Sequence, residues 1–185
     1  MTHLILTPDG KEGESMSTRR NSIKRLAFLG VCTSVALVLA WLESFIPPIY
    51  SALPGIKLGL PNIAILFILY RYGLLDAAAV SFVRVCIVSM LFGNAEILAY
   101  SLAGAALSLV GMALLKHCKL FSTVGVSVAG GVLHNVGQIL MAMLLLRTVE
   151  IGYYLIVLVL TGIASGILVG LCGGWIVKRF DLKKY

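Results

Sequence analysis

The chain is predicted to be an all-α integral membrane protein, a bundle of six transmembrane helices with both termini on the cytoplasmic side. Three observations carry this. Hydrophobic residues make up 59% of the 185 and charged residues only 12%, and the mean hydropathy is +1.00, outside the range of soluble domains. The apolar residues fall into six continuous runs rather than alternating segments, which excludes a barrel. The positive charge is sorted. One set of loops and both tails hold Lys11, Arg19, Arg20, Lys24, Arg25, Arg71, Lys116, Lys119, Lys178, Arg179, Lys183 and Lys184, and the opposite loops hold only Lys57 and Arg147. Cytoplasmic loops collect Lys and Arg.

Residues 1–22 are polar and contain Pro8, Gly10 and Gly13. They are expected to be a disordered cytoplasmic tail. The apolar run Leu4-Ile5-Leu6 is too short for a cleavable signal, so the first span is expected to act as a retained signal anchor. The membrane domain is expected over 23–180, and 181–185 form a short cytoplasmic tail.

A hydrocarbon core of about 30 Å takes roughly 20 helical residues. Span one covers 26–46 and stops at Pro47-Pro48, with Trp41, Phe45 and Tyr50 where an outer aromatic belt lies. An outer loop rich in Pro and Gly follows. Span two is irregular: its uncharged run, 60–70, reaches only about 16 Å as a helix. Extension to 56–75 reaches full width but takes in Lys57 and Arg71, which then snorkel to opposite faces. Pro61 suits a first helical turn.

Span three covers 77–92, with Asp76 placed for the N-terminal dipole. Gly93-Asn94 makes a tight turn. Spans four, five and six cover 97–115, 124–146 and 153–177. Gly162, Gly166, Gly170 and Gly174 repeat every fourth residue in span six, the pattern that lets a neighbouring helix pack at backbone distance.

Arg84 lies mid-span, about 12 Å from either end, where a charge is costly and functional by default. Its guanidinium fork suits a carboxylate or phosphate; the structural alternative is a buried pair or a snorkelling side chain. His134, Asn135 and Gln138 cluster in the middle of span five, with His134 and Gln138 on one helical face. They serve either interhelical hydrogen bonds or a ligand pocket shared with Arg84. Glu43, Lys57, Asn62, Asn94 and Glu96 fall near outer span ends. With Arg84 and the span-five residues they are expected to line a cavity opening outward, although the two glutamates equally suit the membrane interface. The loop 54–62 leads into a helix start, whose backbone donors favour anions.

Several classes are excluded or unsupported. The net charge of +7 flanks apolar spans, where it meets anionic headgroups, and no nucleic-acid recognition element accompanies it. The four cysteines form no CxxC pair, so neither a disulfide framework nor a zinc site is supported. The three histidines lack metal-ligand spacing. No catalytic constellation emerges. The only aspartates are Asp9, Asp76 and Asp181, too few and too scattered for the magnesium-binding clusters of enzymes that join prenyl diphosphates. Without a Walker loop, any ATP must be hydrolysed by a partner.

Pro54-Gly55-Ile56-Lys57-Leu58-Gly59-Leu60-Pro61-Asn62, followed by an apolar run and Arg71-Tyr72-Gly73, resembles the heptaprenyl diphosphate synthase component I family, also called the Gx transporter family. The resemblance spans roughly 22–180. Pro61 departs from it, the family having a small residue there. The family in turn is similar to the substrate-binding S components of energy-coupling factor (ECF) transporters. That resemblance implies a six-helix subunit in the bacterial plasma membrane, docked on a transmembrane coupling protein with two ATPases, binding no cofactor itself. It also implies docking through an Ala-xxx-Ala pair on the first helix, matched here by Ala36 and Ala40. The expected function is capture of a small, anionic and partly apolar metabolite from outside, an isoprenoid or quinone precursor by the family label. The alternative is a non-catalytic membrane subunit of a prenyl diphosphate synthase.

Overall fold

The structure, a computed structural model, describes the backbone of residues 9–45 and 59–181 and the side chains of 19–45 and 59–180. The described residues form six α-helices and one 3-10 helix: α1 (Asp9–Ser44), α2 (Asn62–Arg71), α3 (Leu74–Phe92), α4 (Ala95–Cys118), α5 (Thr123–Leu146), the 3-10 turn Val149–Tyr154 and α6 (Leu155–Asp181). Five segments are long and apolar enough to cross a membrane: Arg19–Ser44, Leu74–Phe92, Ala95–Cys118, Thr123–Leu146 and Val149–Phe180. Exposed apolar side chains such as Leu75, Met90 and Leu171 suit a hydrocarbon solvent. The protein is a multi-pass membrane protein.

Helix α1 begins at Asp9, within the segment read as a tail. The larger departure is α2. It has ten residues, about 15 Å, half the hydrocarbon core, so the full-width reading 56–75 does not hold as a helix. The C-terminal stop is local: the Tyr72 and Gly73 N–H groups both donate to the Ile68 carbonyl, at 2.8 and 3.2 Å, and Gly73 has φ 109°, a conformation that side chains with a Cβ avoid. Leu74 and Leu75 therefore belong to α3. Nor does α2 face lipid. Ile65, Leu66, Ile68 and Leu69 are at most 2% exposed; α2 is a peg in the protein core, packed on α1, α3 and α6.

The other boundaries follow ordinary capping chemistry. Asn94 Oδ1 accepts the Ile97 N–H at 2.9 Å to start α4, and Ser122 Oγ accepts the Gly125 N–H at 3.1 Å to start α5. Lys119 and Arg147, both at positive φ, end them.

Helix α5 packs between α4 and α6, α3 packs on α1, α2 and α4, and α2 meets α6. Glycine sets the closest seams. A Cβ on Gly166 would lie 2.5 Å from Val128 Cα, one on Gly170 2.7 Å from Val124 Cα, and one on Gly137 2.8 Å from the Ala103 carbonyl oxygen. With no hydrophobic drive between helices in lipid, such contact is what holds them together.

Contacts gather the middle of α1, the end of α2, the starts of α3 and α5, and the ends of α4 and α6 at one face of the bundle. Arg25 pairs with Asp76 at 2.5 Å. Lys116 Nζ donates to the Leu69 carbonyl at 2.6 Å and lies 5.2 Å from the Tyr70 ring centroid. Phe67 and Phe180 rings are 5.3 Å apart. This is the face on which the sequence concentrates basic residues.

Candidate functional site

The buried stripe of α3 runs Ala77, Val80, Ser81, Arg84, Val85, Ser89. Helical spacing puts Arg84 among small and branched neighbours, all turned away from lipid. Arg84 is 9% exposed. Its Nε is, among the described residues, the one buried side-chain nitrogen or oxygen with no hydrogen-bond partner. An unpaired buried donor on a charged group carries the full cost of lost hydration, which marks Arg84 as the candidate anchor of a site.

Two other elements complete the surroundings. Glu43, in the last turn of α1, is 6% exposed, and its Oε1 accepts the Gly59 N–H at 2.5 Å. Its charge acts on Arg84. Gly59 has φ 72°, and its α-carbon is covered by Asn62, whose Nδ2 would stand 3.2 Å from an added Cβ. The Gly59 carbonyl accepts the Asn62 N–H at 2.8 Å, opening α2. Glycine is needed at this corner for both its dihedral and the close approach.

Depth matters as much as contact. Helices α2 and α3 leave the Tyr72–Gly73 turn as neighbours. The N-terminus of α2 is about 15 Å from that turn, and Arg84, ten residues beyond Leu74, is also about 15 Å from it. For helices running along the membrane normal, both lie half the thickness of a core of about 30 Å from that turn.

The structure divides the remaining sequence candidates. His134 and Gln138 turn toward α4: a Cβ on Gly104 would lie 3.1 Å from His134 Cε1 and 2.9 Å from Gln138 Cγ. Asn135 turns toward α6, its Nδ2 donating to the Leu158 carbonyl at 2.5 Å, an acceptor shared with Thr161 Oγ at 3.0 Å. The three side chains thus serve two different seams, with Asn135 acting as an interhelical hydrogen bond. Asn135→Ala is expected to cost about 0.6–1.7 kcal/mol, a fall of a few degrees in the melting temperature of the detergent-solubilised protein; an unchanged melting curve would remove that assignment.

Glu96 is exposed in the first turn of α4, where a carboxylate complements the helix dipole. Asn62 lies against Gly59, whose N–H Glu43 accepts. Lys57 lies outside the described residues, as do 54–58 of the loop motif. Ala36 is fully buried, facing the bundle, and Ala40 is half-buried. The open face of α1 is a groove of about 620 Å³ lined by Ala27, Gly30, Val31, Ser34, Val35, Val38 and Leu39.

Glu43 gains most from the structure, moving from an interface carboxylate to a buried partner of the site. Its signal was in the sequence: it is the only charged residue in 26–46. Among the described residues no three His, Cys, Asp or Glu side chains come close enough to hold a metal ion.

The family model described as heptaprenyl diphosphate synthase component I matches residues 32–176. No curated protein matches the chain, and no solved structure does.

Proposed function

The chain belongs to the heptaprenyl diphosphate synthase component I family, and from that premise we propose that it is the substrate-binding membrane subunit of an importer of the ECF type. The observation that carries the reading is the buried, unpartnered Arg84 Nε. A buried guanidinium whose Nε has no hydrogen-bond partner is poised for an anionic cargo. In this reading the protein crosses a bacterial plasma membrane six times with both ends inside. It captures a small, anionic and partly apolar metabolite, of the isoprenoid or quinone-precursor kind, from outside. A transmembrane coupling protein and two ATPases supply the work.

Arg84 binds the anion. Glu43 and Asn62 hold the Gly59 corner against it, and Lys57 adds charge from the outer loop. His134, Asn135 and Gln138 shape the α4–α5–α6 wall. The buried position of Ala36 gives it the role of seating α1 on the bundle, and a coupling partner meets α1 on its open face.

The test is retention. Full-length protein purified gently in native lipid nanodiscs is expected to release a small anionic molecule on denaturation, detected by mass spectrometry. Arg84→Ala protein is expected to release at least about tenfold less, a loss of about 1.4 kcal/mol or more in binding. Equal recovery from both proteins would return Arg84 to a structural role.

The family's description favours a second reading, an accessory membrane subunit of a prenyl-transferring enzyme. Affinity purification separates the two. Co-purification with an ATPase pair supports the importer, and co-purification with an aspartate-rich soluble synthase supports the accessory subunit.

A further inference from the structure

We propose that the open face of α1 holds one anionic phospholipid, with an acyl chain in the groove over 27–39 and its phosphate between Arg20 and Lys24. The site is on the side of α1 turned away from the bundle. It is independent of the importer reading, in which a coupling partner displaces this lipid.

The groove holds about 620 Å³ and runs along α1 from Ala27 to Leu39, a rise of about 18 Å. One leaflet of the hydrocarbon core is about 15 Å deep, so the groove follows an acyl chain over its whole depth. Val31, Val35 and Val38 are exposed along it. Gly30 supplies room. A Cβ there would meet no heavy atom of the described residues within 4 Å, whereas those on Gly166 and Gly170 would meet α5 backbone. Glycine is a poor helix former, and what it leaves at this position is space on the lipid side. Ser34 Oγ donates to the Gly30 carbonyl at 3.0 Å, so the hydroxyl is satisfied within the helix and the wall can face a hydrocarbon chain.

Charge marks one end of the groove. Helical spacing carries the stripe Val38, Ser34, Val31, Ala27 back through Lys24 and Arg20, both exposed. Arg25 lies on the opposite side of α1, where it pairs with Asp76. Arg20 and Lys24 are one turn apart, about 6 Å, and a headgroup layer is about 5–7 Å deep. Side chains on a helix lean toward its N-terminus, so both cations lean away from the groove and into that layer. Neighbouring cations at the mouth of an acyl groove select a lipid with a net negative head.

The same cations disfavour a second copy as the occupant. Two chains in one membrane share an orientation. Packing α1 on its counterpart about a two-fold axis along the membrane normal would set Arg20 and Lys24 against the same residues of the other copy.

Native mass spectrometry of full-length protein, delipidated in mild detergent, tests the site. The probes are phosphatidylglycerol and phosphatidylcholine with identical oleoyl chains, given in equal amounts. One phosphatidylglycerol is expected to be retained, preferred at least about tenfold, since each cation contributes roughly a fivefold preference. Arg20→Gln with Lys24→Gln is expected to abolish the preference. Lys178→Gln with Arg179→Gln, an equal loss of charge at the basic face, is expected to keep it. Gly30→Leu is expected to lose the retained lipid at an unchanged melting temperature, because its side chain enters open space. A preference that survives the Arg20 and Lys24 changes, or that falls equally with Lys178 and Arg179, would overturn the headgroup assignment. Undiminished retention in Gly30→Leu would overturn the groove. A dimer mass that Gly30→Leu removes would give the face to a second copy instead. If Gly30→Leu fails to fold, Val38→Phe, at an exposed position of the groove, takes its place.

Discussion

Gly166→Ala is expected to lower the melting temperature of the purified protein by roughly 3–10 °C, while Gly174→Ala, two turns along the same helix face, leaves it unchanged or raises it slightly. The two glycines belong to one four-residue repeat and look equivalent in sequence. Their surroundings differ. A Cβ on Gly166 meets backbone on α5, 2.5 Å from Val128 Cα and 2.9 Å from the Ser127 carbonyl oxygen. Neither atom can rotate away, so α5 and α6 must separate along the seam. Overpacking of this kind costs about 1–3 kcal/mol, and each kcal/mol shifts melting by about 2–4 °C at this chain length.

A Cβ on Gly174 instead lies 3.6 Å from Thr123 side-chain carbons, an ordinary contact. Alanine there also gains about 1 kcal/mol of helix propensity at most. Thermal unfolding followed by tryptophan fluorescence checks both. Equal losses at the two positions would show that the α5–α6 seam is not set by backbone contact at Gly166.

The second large effect is a thermodynamic cycle across Arg84 and Glu43. Arg84→Met is expected to destabilise the ligand-free protein, because it removes an opposite charge that acts on the buried Glu43 carboxylate. Removing one member of a buried charge pair costs about 3–5 kcal/mol when the two are in contact, and less across a gap. Glu43→Gln is expected to destabilise for the converse reason, with Arg84 left uncompensated. The double variant removes both charges and keeps the Gly59 acceptor. It is expected to recover to wild-type stability or above, since apolar or neutral replacements of buried pairs are neutral to stabilising by about 1–4 kcal/mol. Non-additivity of that sign, measured by chemical or thermal unfolding in detergent, identifies electrostatic coupling. Additive losses would mean that the two charges do not interact.

The cycle also explains why the protein keeps these groups. If the neutral double variant is the more stable protein, the charges are held for what they bind, as stability is commonly traded at functional sites.

Length, apolar runs and sorted charge are properties of the chain read in one dimension, and they suffice for the membrane class, the all-helical fold and the approximate limits of five long helices. A hydrophobic run must cross or be buried, and each such helix satisfies its own backbone. Even the difficulty at 60–70 was legible, because an uncharged run of about 16 Å cannot span alone. What decided it was three-dimensional. The dihedral of Gly73 and its hydrogen bond to Ile68 stop α2, and burial on α1, α3 and α6 makes a short helix stable in the core.

Arg84 was legible as an exception to lipid solvation. Its surroundings were not, since Glu43, whose charge acts on it, lies far from it in sequence and comes near only because α1 and α3 are neighbours. The same limit scattered His134, Asn135 and Gln138. Adjacent residues on a helix point about 100° apart, so with a helix packed on either side of α5, His134 and Asn135 necessarily serve different seams. Sequence determines which side chains a membrane will not tolerate alone; only the packing of helices decides which of them are brought together.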